Sequence, residues 1–179
     1  MVMITLGSKA QVRNFSLTNV VDGSTVSLES YPSCSGMVIV FTSNACPYDK
    51  YYTARLKHLI TTYQGKIQFL LINSYTEPEE SADKMKAAYD GWTLPVPYLA
   101  DKDQVAMECL TARKSPEVFL LKSINGKYEV VFSGAIDDNA QVSAAVSETY
   151  LRASIDKLLA GQKIELTNVR PVGCTIRKK

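Results

Sequence analysis

Two strongly apolar segments, separated by an amphipathic one, constrain the fold of this chain more than any other feature. The first covers residues 37–41 and the second covers residues 67–72, and neither alternates with polar residues. Such runs are typical of strands buried on both faces, inside a sheet that helices cover. The segment between them has large apolar residues at helical spacing: Tyr52, Leu56, Leu59, Ile60 and Tyr63. The pattern predicts a strand–helix–strand unit whose helix runs from Cys46 to about Tyr63 and stops at Gly65.

Two turn signals predict antiparallel hairpins on either side of this unit. Asp22-Gly23 separates two short strand-like segments near the start, and Asn125-Gly126 separates strands at 117–122 and 128–133. Both dipeptides favour tight two-residue turns. Between the hairpins, residues 94–99 are predicted to form an extended link because two prolines interrupt them.

Three more helices are predicted from caps and apolar spacing. One follows a capping box at 76–79, a short one capped by Asp101 and Gln104 runs to Leu110, and the last spans 143–159. The first is expected to bury Ala82, Met85, Tyr89 and Trp92, and the last to bury Leu151, Ile155, Leu158 and Leu159.

The order of elements predicts one α/β domain over residues 1–179, with a central mixed sheet and helices on both faces. We expect residues 1–30 to form an N-terminal hairpin extension and residues 161–179 to form an irregular tail. In such sheets ligands bind at the carboxyl ends of the strands, where Cys46 is expected.

Composition excludes several classes of function. The apolar fraction is 46%, the charged fraction is 21% and the net charge is +2, with no basic surface stripe in the sequence. We therefore expect a soluble protein with no nucleic-acid or membrane partner. The opening residues lack the pattern of a secretory signal, which predicts a cytoplasmic protein.

The four cysteines and the one histidine are too scattered for a metal site or a disulfide scaffold. His58 lies twelve residues after Cys46 on the predicted helix, roughly 18 Å along its axis, which is too far for a general base. No glycine-rich phosphate loop is present, so we expect no cofactor and no metal. Cys109 is predicted to be buried on its short helix, whereas Cys34 lies in a turn and is expected to be exposed.

Cys46 is the candidate for a reactive, nucleophilic cysteine. The first turn of a helix has backbone N–H groups without partners and a positive dipole end, and both stabilise a thiolate. The alternative is that Cys46 is a small buried apolar residue at a strand end.

Five segments spread over nearly the whole chain resemble the thioredoxin superfamily, and more narrowly its redoxin branch of peroxiredoxin-like proteins. They lie at 6–17, 41–48, 97–106, 115–120 and 173–176. The resemblance implies the thioredoxin-like three-layer fold and thiol redox chemistry.

Within this resemblance Cys46 takes the place of the nucleophile, and Pro116 takes the place of the family's cis-proline beside the sulfur. The backbone of Ser115 would then pair with an incoming peptide or thiol. Without the resemblance, Pro116 is the first residue of an edge strand. Pro47, Tyr48 and Asp49 at the helix start complete the expected substrate surface.

Departures from the family pattern limit the chemistry that the sequence supports. Asp49 stands where a thioredoxin has its second cysteine, and Ser43 stands where close relatives have one. The Cys-x-x-Cys mechanism is therefore absent, and Asp49 adds a negative charge that opposes a thiolate. Ser43 and Thr42 could donate to a peroxide oxygen or to the sulfur, or they could only satisfy backbone groups at the strand end. Ile39 stands where a peroxiredoxin has proline.

The resemblance makes Cys174 the first candidate to resolve an oxidised Cys46, because Cys174 lies in the matched segment 173–176, where an irregular tail can fold back over the site. The alternative is that the tail only packs on the sheet.

Three functions stay open from sequence. The first is a thiol oxidoreductase in which Cys46 exchanges with a disulfide or reduces a peroxide, with an external thiol as reductant. The second is a binding module that keeps the fold without turnover, and the third is a redox sensor. We expect a monomer or a weak dimer.

Overall fold

The computed structural model describes residues 11–92 and 94–179. Within these ranges the main sheet has eight strands in the order β2–β1–β5–β4–β3–β7–β8–β9, and a second sheet pairs β10 with β6. The strands are β1 Ser16–Asn19, β2 Thr25–Ser27, β3 Gly36–Phe41, β4 Gln68–Asn73, β5 Tyr98–Ala100, β6 Lys114–Ser115, β7 Glu117–Ile124, β8 Lys127–Gly134, β9 Thr167–Val169 and β10 Cys174–Thr175. The helices are α1 Pro47–Tyr63, α2 Ala82–Trp92, α3 Val105–Leu110 and α4 Tyr150–Leu159.

The centre of the sheet confirms the predicted strand–helix–strand unit. β3 and β4 are parallel, with Ile39 opposite Leu70, and α1 connects them. On its other side β3 pairs antiparallel with β7, which makes the sheet mixed. Both predicted hairpins are also present, as β1–β2 and β7–β8.

The two faces of the sheet are covered by different elements. Val38 and Val40 of β3 belong to a core formed with α1, α2 and α4. The β3 residues that alternate with these valines, such as Ile39, belong to a second core, which includes residues of α3 and Ile176 of the tail. The alternation follows from the two-residue period of a strand. It confirms an α/β fold with helices on both faces.

The predicted start of the second helix is wrong. Instead of a capping box at 76–79, a 3₁₀ turn forms over Pro78–Glu80 and α2 begins at Ala82. Glu80 is buried there because its carboxylate accepts hydrogen bonds from the loop before α1. Of the four residues expected in the core, Met85 is buried, Tyr89 and Trp92 are partly buried and pack against the core, and Ala82 is exposed.

The last helix and the tail also differ from their predictions. A 3₁₀ turn occupies Ser143–Ala145, and α4 begins only at Tyr150. Leu151 and Ile155 are buried as predicted, Leu158 is partly buried against the core, and Leu159 is 37% exposed. The tail is not irregular throughout, because β9 and β10 form in it. The extended link likewise contains β5, which pairs with β4. These strands are only two or three residues long, too short for an apolar pattern to reveal.

Residues 6–10 of the resemblance lie outside the described part of the chain. The hairpin predicted in the N-terminal extension forms an edge of the main sheet, because β1 also pairs with β5. Among the described residues, we find no helix with the length and apolarity that a membrane crossing requires.

Candidate active site

The loop between β3 and α1 places Cys46 at the carboxyl edge of the sheet. Cys46 is the N-cap residue of α1 and Pro47 is the first helical residue. Pro47 has no N–H group, and the N–H groups of Tyr48 and Asp49 lie in the first turn, where no intrahelical acceptor exists. The sulfur thus stands at the positive end of α1, as the sequence predicts.

A buried carboxylate fixes this loop. Glu80 accepts hydrogen bonds from the Ser43 hydroxyl at 2.5 Å, from the backbone N–H of Asn44 at 2.9 Å and from that of Ala45 at 3.1 Å. The Asn73 amide donates a fourth at 2.7 Å. The carboxylate therefore satisfies backbone donors that would otherwise be unpaired in the interior.

Ser115 and Pro116 lie beside the sulfur, as the resemblance implies. The peptide bond between them is cis, and the carbonyl oxygen of Ser115 is 3.5 Å from the Sγ of Cys46. Pro116 is buried and lines a cavity of about 150 Å³ together with Tyr52 and Val172.

The C-terminal tail closes the site with a covalent bond. The Sγ atoms of Cys46 and Cys174 form a disulfide that joins residues 128 apart in sequence, with a Cα–Cα distance of 6.0 Å. Cys174 reaches this place on β10, which pairs antiparallel with β6 so that Cys174 stands opposite Ser115. The structure thus brings the two candidate redox cysteines together.

The tail backbone is held at several points beside the disulfide. The Tyr75 hydroxyl donates to the carbonyl of Cys174 at 3.0 Å and lies 2.8 Å from the Ser115 hydroxyl. Lys114 Nζ donates to the carbonyl of Gly173 at 3.3 Å. A Cβ atom at Gly173 would overlap the carbonyl oxygen of Ser115, so the close approach of the two strands requires glycine there.

A second set of contacts holds the tail after the disulfide. The backbone N–H of Ile176 donates to the carbonyl of Arg113 at 2.9 Å, and the Ile176 side chain is buried in the second core. The Gln104 amide donates to the carbonyl of Arg177 at 2.7 Å and accepts from the N–H of Lys179 at 2.8 Å.

Asp49 occupies the interior side of the site. Its side chain is buried, only 4% of the residue is exposed, and neither carboxylate oxygen has a hydrogen bond of normal geometry. Burial raises the pKa of Asp49 to about 7, and the neighbouring hydroxyls of Thr42 and Ser115 act against this rise. Desolvation of the charged form is the larger effect, so Asp49 is neutral in a substantial fraction of molecules at neutral pH.

The remaining predicted residues divide into two groups. Thr42 and Ser43 are buried, but the Ser43 hydroxyl donates to Glu80 and accepts from the N–H groups of Ala45 and Cys46. Its contacts are those of a loop-capping group. Pro47 is exposed and Tyr48 is partly exposed at the rim of the site.

Two basic residues near the site have other partners: Lys114 donates to the carbonyl of Gly173 on the tail, and Arg55 forms an ion pair with Asp137 at 2.6 Å. Cys34 and Cys109 are partly exposed free thiols, so the burial predicted for Cys109 is incomplete. No group of three His, Cys, Asp or Glu residues in the described ranges could hold a metal ion.

Sequence reasoning missed Tyr75, Glu80 and Gln104. A signal for Tyr75 was available, because it follows β4 closely and the carboxyl ends of the parallel strands β3 and β4 meet at one edge of the sheet. The sequence pattern places Glu80 directly after a predicted capping box, and it predicts only a capping role for Gln104. Asp101 does cap α3, through bonds from the N–H groups of Ala106 and Met107.

Comparison with known proteins identifies the family and the fold. A model described as the AhpC/TSA family matches residues 8–144. Curated protein sequences contain no match.

Among solved structures, an uncharacterized conserved protein from Geobacillus kaustophilus is 30% identical, with a TM-score of 0.85 over 96% of this chain and 92% of that one. A hypothetical protein from Sinorhizobium meliloti is 25% identical, with a TM-score of 0.83 over 94% and 92%. A thiol-disulfide oxidoreductase from Bacteroides fragilis is 17% identical, with a TM-score of 0.64 over 83% and 99%. This last likeness shows the fold alone, and it confirms the thioredoxin-like architecture.

Proposed function

Since the chain belongs to the AhpC/TSA family, we propose that it is a thiol–disulfide oxidoreductase in which Cys46 and Cys174 form the redox pair. The observation that carries this proposal is the disulfide between a cysteine at a helix N-terminus and a cysteine on the C-terminal tail. The proposal replaces the missing local Cys-x-x-Cys pair with a partner supplied from the other end of the chain.

Cys46 is the nucleophile in this proposal because it occupies the end of α1. The thiolate of Cys46 attacks a substrate disulfide, forms a mixed disulfide and releases one substrate sulfur as a thiolate. Cys174, as a thiolate, then attacks the Cys46 sulfur and releases the second substrate sulfur. The substrate gains two electrons, and the enzyme is left with the Cys46–Cys174 bond.

Ser115 and Tyr75 position the resolving sulfur. Both residues contact backbone atoms around Cys174. The pairing of Cys174 with Ser115 sets the register of the tail strand, and this register positions residue 174 beside Cys46. Because the two sulfurs are aligned before they react, the step avoids the entropy cost of a bimolecular encounter.

Asp49 sets the pH dependence of the site in this proposal. With a pKa of about 7 it is neutral under mildly acidic conditions and charged under alkaline ones. The charged form opposes the formation of the Cys46 thiolate, whereas the neutral acid does not.

Peroxide reduction is the second candidate, and the family assignment favours it. In that reaction the Cys46 thiolate attacks one peroxide oxygen, which gives a sulfenic acid and, after proton uptake, an alcohol or water. The Cys174 thiol then condenses with the sulfenic acid and releases water. Both routes end in the same disulfide.

The test uses four full-length cysteine variants assayed for reduction of an insulin disulfide and of hydrogen peroxide. We expect Cys46→Ser to abolish turnover, and Cys174→Ser to accumulate a mixed disulfide or an overoxidised Cys46. Cys34→Ser and Cys109→Ser are matched controls and should retain wild-type rates, because both thiols are free. If the wild type reduces neither substrate, the binding module or the redox sensor replaces the enzyme.

A further inference from the structure

A second cavity, of about 530 Å³, opens between α1, the loop after β8 and the start of α4. Its apolar wall consists of Leu59 and Ile136, which are buried, together with Ala54 and Val146, which are at least partly exposed. Sites that bind small organic molecules have volumes of this size and combine apolar walls with a few polar groups. The cavity therefore has the dimensions and the wall of a ligand site.

The charged groups of this cavity are mainly basic. Arg55, His58 and Arg152 line it, and among the described residues Asp137 is its one acid. The charge of Asp137 is already compensated, because its carboxylate accepts hydrogen bonds from Arg55 at 2.6 Å and from the Tyr52 hydroxyl at 2.8 Å. Two guanidinium groups thus face one carboxylate in the lining, and an anionic ligand is favoured over a cationic one.

Arg152 is the guanidinium that remains available to a ligand. It is partly exposed, and within the described ranges it has no ion pair. Asp156, one turn further along α4, accepts a hydrogen bond from the Tyr63 hydroxyl at 2.6 Å. His58 is exposed at the same cavity, and its imidazole donates a hydrogen bond in either protonation state. These two side chains can bind a carboxylate at the solvent-facing side of the apolar wall.

We infer that this cavity binds an organic carboxylate with a medium-length apolar chain. The chain packs against Leu59 and Ile136, and the carboxylate accepts hydrogen bonds from Arg152 and His58. A short acid would leave the apolar wall in contact with water, whereas each further methylene group that is buried adds to the affinity. The binding of this ligand does not depend on the proposed redox chemistry, since neither sulfur of the disulfide belongs to the lining.

Calorimetric titration of the full-length protein tests the site, with octanoate as the probe. We expect saturable binding of octanoate. 1-Octanol has the same chain without the charge and acetate has the charge without the chain, so each should bind at least roughly tenfold more weakly. In spectra of ¹⁵N-labelled protein, octanoate should shift the amide signals of Ala54 and Val146, which would place it in this cavity.

Two pairs of variants separate a local contact from a general effect of charge or size. Arg152→Gln should weaken octanoate binding about tenfold, because it removes the guanidinium. Lys157→Gln removes an exposed cation from the same helix, outside the lining, and should leave the affinity within about twofold. Ala54→Glu should weaken binding more than Ala54→Gln does, since the two side chains have similar size and only the first is an anion.

Several results would overturn the inference. Octanol that binds as tightly as octanoate, unchanged affinity in Arg152→Gln, or equal losses in Arg152→Gln and Lys157→Gln would exclude a carboxylate site at Arg152. Absence of saturable binding, or amide shifts confined to residues outside the cavity, would exclude the cavity as a site for this class of ligand. Each of these results would leave the proposed function intact, because the cysteine variants test it separately.

Discussion

The two halves of the disulfide are held in opposite ways. Cys46 is buried at the end of a loop whose backbone the Glu80 carboxylate holds from the interior, and the carboxyl of Asp49 is buried in the first turn of α1. Cys174 lies on a surface strand held mainly through its backbone atoms. The comparison teaches that Cys46 belongs to the end of a core strand and helix, whereas Cys174 belongs to a tail segment anchored by backbone hydrogen bonds and by the buried side chain of Ile176.

Asp49→Asn, near Cys46, is expected to have the largest effect on the free energy of unfolding. The folded pKa of Asp49 is raised from 3.8 to about 7, so its ionisation destabilises the fold as pH rises through this window. At pH 8.5 the variant should be more stable than wild type by up to about 4 kcal/mol, and the difference should shrink below about 1 kcal/mol near pH 4. Urea unfolding across this pH range measures it, and a pH-independent difference would contradict the account.

Glu80→Gln tests the buried hydrogen bonds that hold the loop before Cys46, because glutamine has nearly the same size and shape as glutamate. The amide cannot accept all four hydrogen bonds that the carboxylate receives, so buried donors lose their acceptor. We expect a loss of about 3 kcal/mol in the free energy of unfolding. Glu79→Gln is the matched control, since Glu79 is exposed and should change the value little. Equal losses of unfolding free energy in both variants would show that the hydrogen bonds of Glu80 are not the cause.

Gly173→Ala tests the tail side. The added Cβ meets the carbonyl of Ser115, so β10 must move away from β6 and Cys174 must move away from Cys46. Oxidation of the reduced pair should slow roughly tenfold while the folded core persists. Gly91→Ala adds the same methyl group in α2, where the space is open, and should leave the rate unchanged. A normal closing rate in Gly173→Ala would show that strand pairing does not align the sulfurs.

Tyr75→Phe should give the smallest effect. It removes the hydroxyl that connects Ser115 with the carbonyl of Cys174 and leaves the ring in place. Oxidised protein should lose about 1 kcal/mol of unfolding free energy. Tyr51→Phe is the control because Tyr51 is exposed, and a loss of the same size there would mean that Tyr75 has no special role.

The region around Cys46 could be predicted largely from the sequence, whereas the structure of the C-terminal tail could not. The buried unit is encoded locally: continuous apolar runs define β3 and β4, and five core residues of α1 recur at helical spacing. Cys46 could therefore be placed at a helix start from sequence alone. Its neighbour Ser115 and its candidate partner Cys174 came only from the family resemblance.

The tail was mispredicted because its structure depends on distant partners. β9 and β10 have three and two residues, and each is defined by pairing with a strand far away in sequence. Glu80 was missed for a similar reason. A charged residue after proline is typical of a helix start, and only the folded structure shows that it turns inwards to bond the loop before Cys46.

Redox titration of the four cysteines tests the central claim most directly. The full-length protein is equilibrated in glutathione buffers of graded potential, alkylated, and mapped so that each cysteine gives its own curve. Cys46 and Cys174 should follow one two-electron transition with a common midpoint, and Cys34 and Cys109 should not share it. Separate midpoints for Cys46 and Cys174, or no reversible transition of either, would contradict the account.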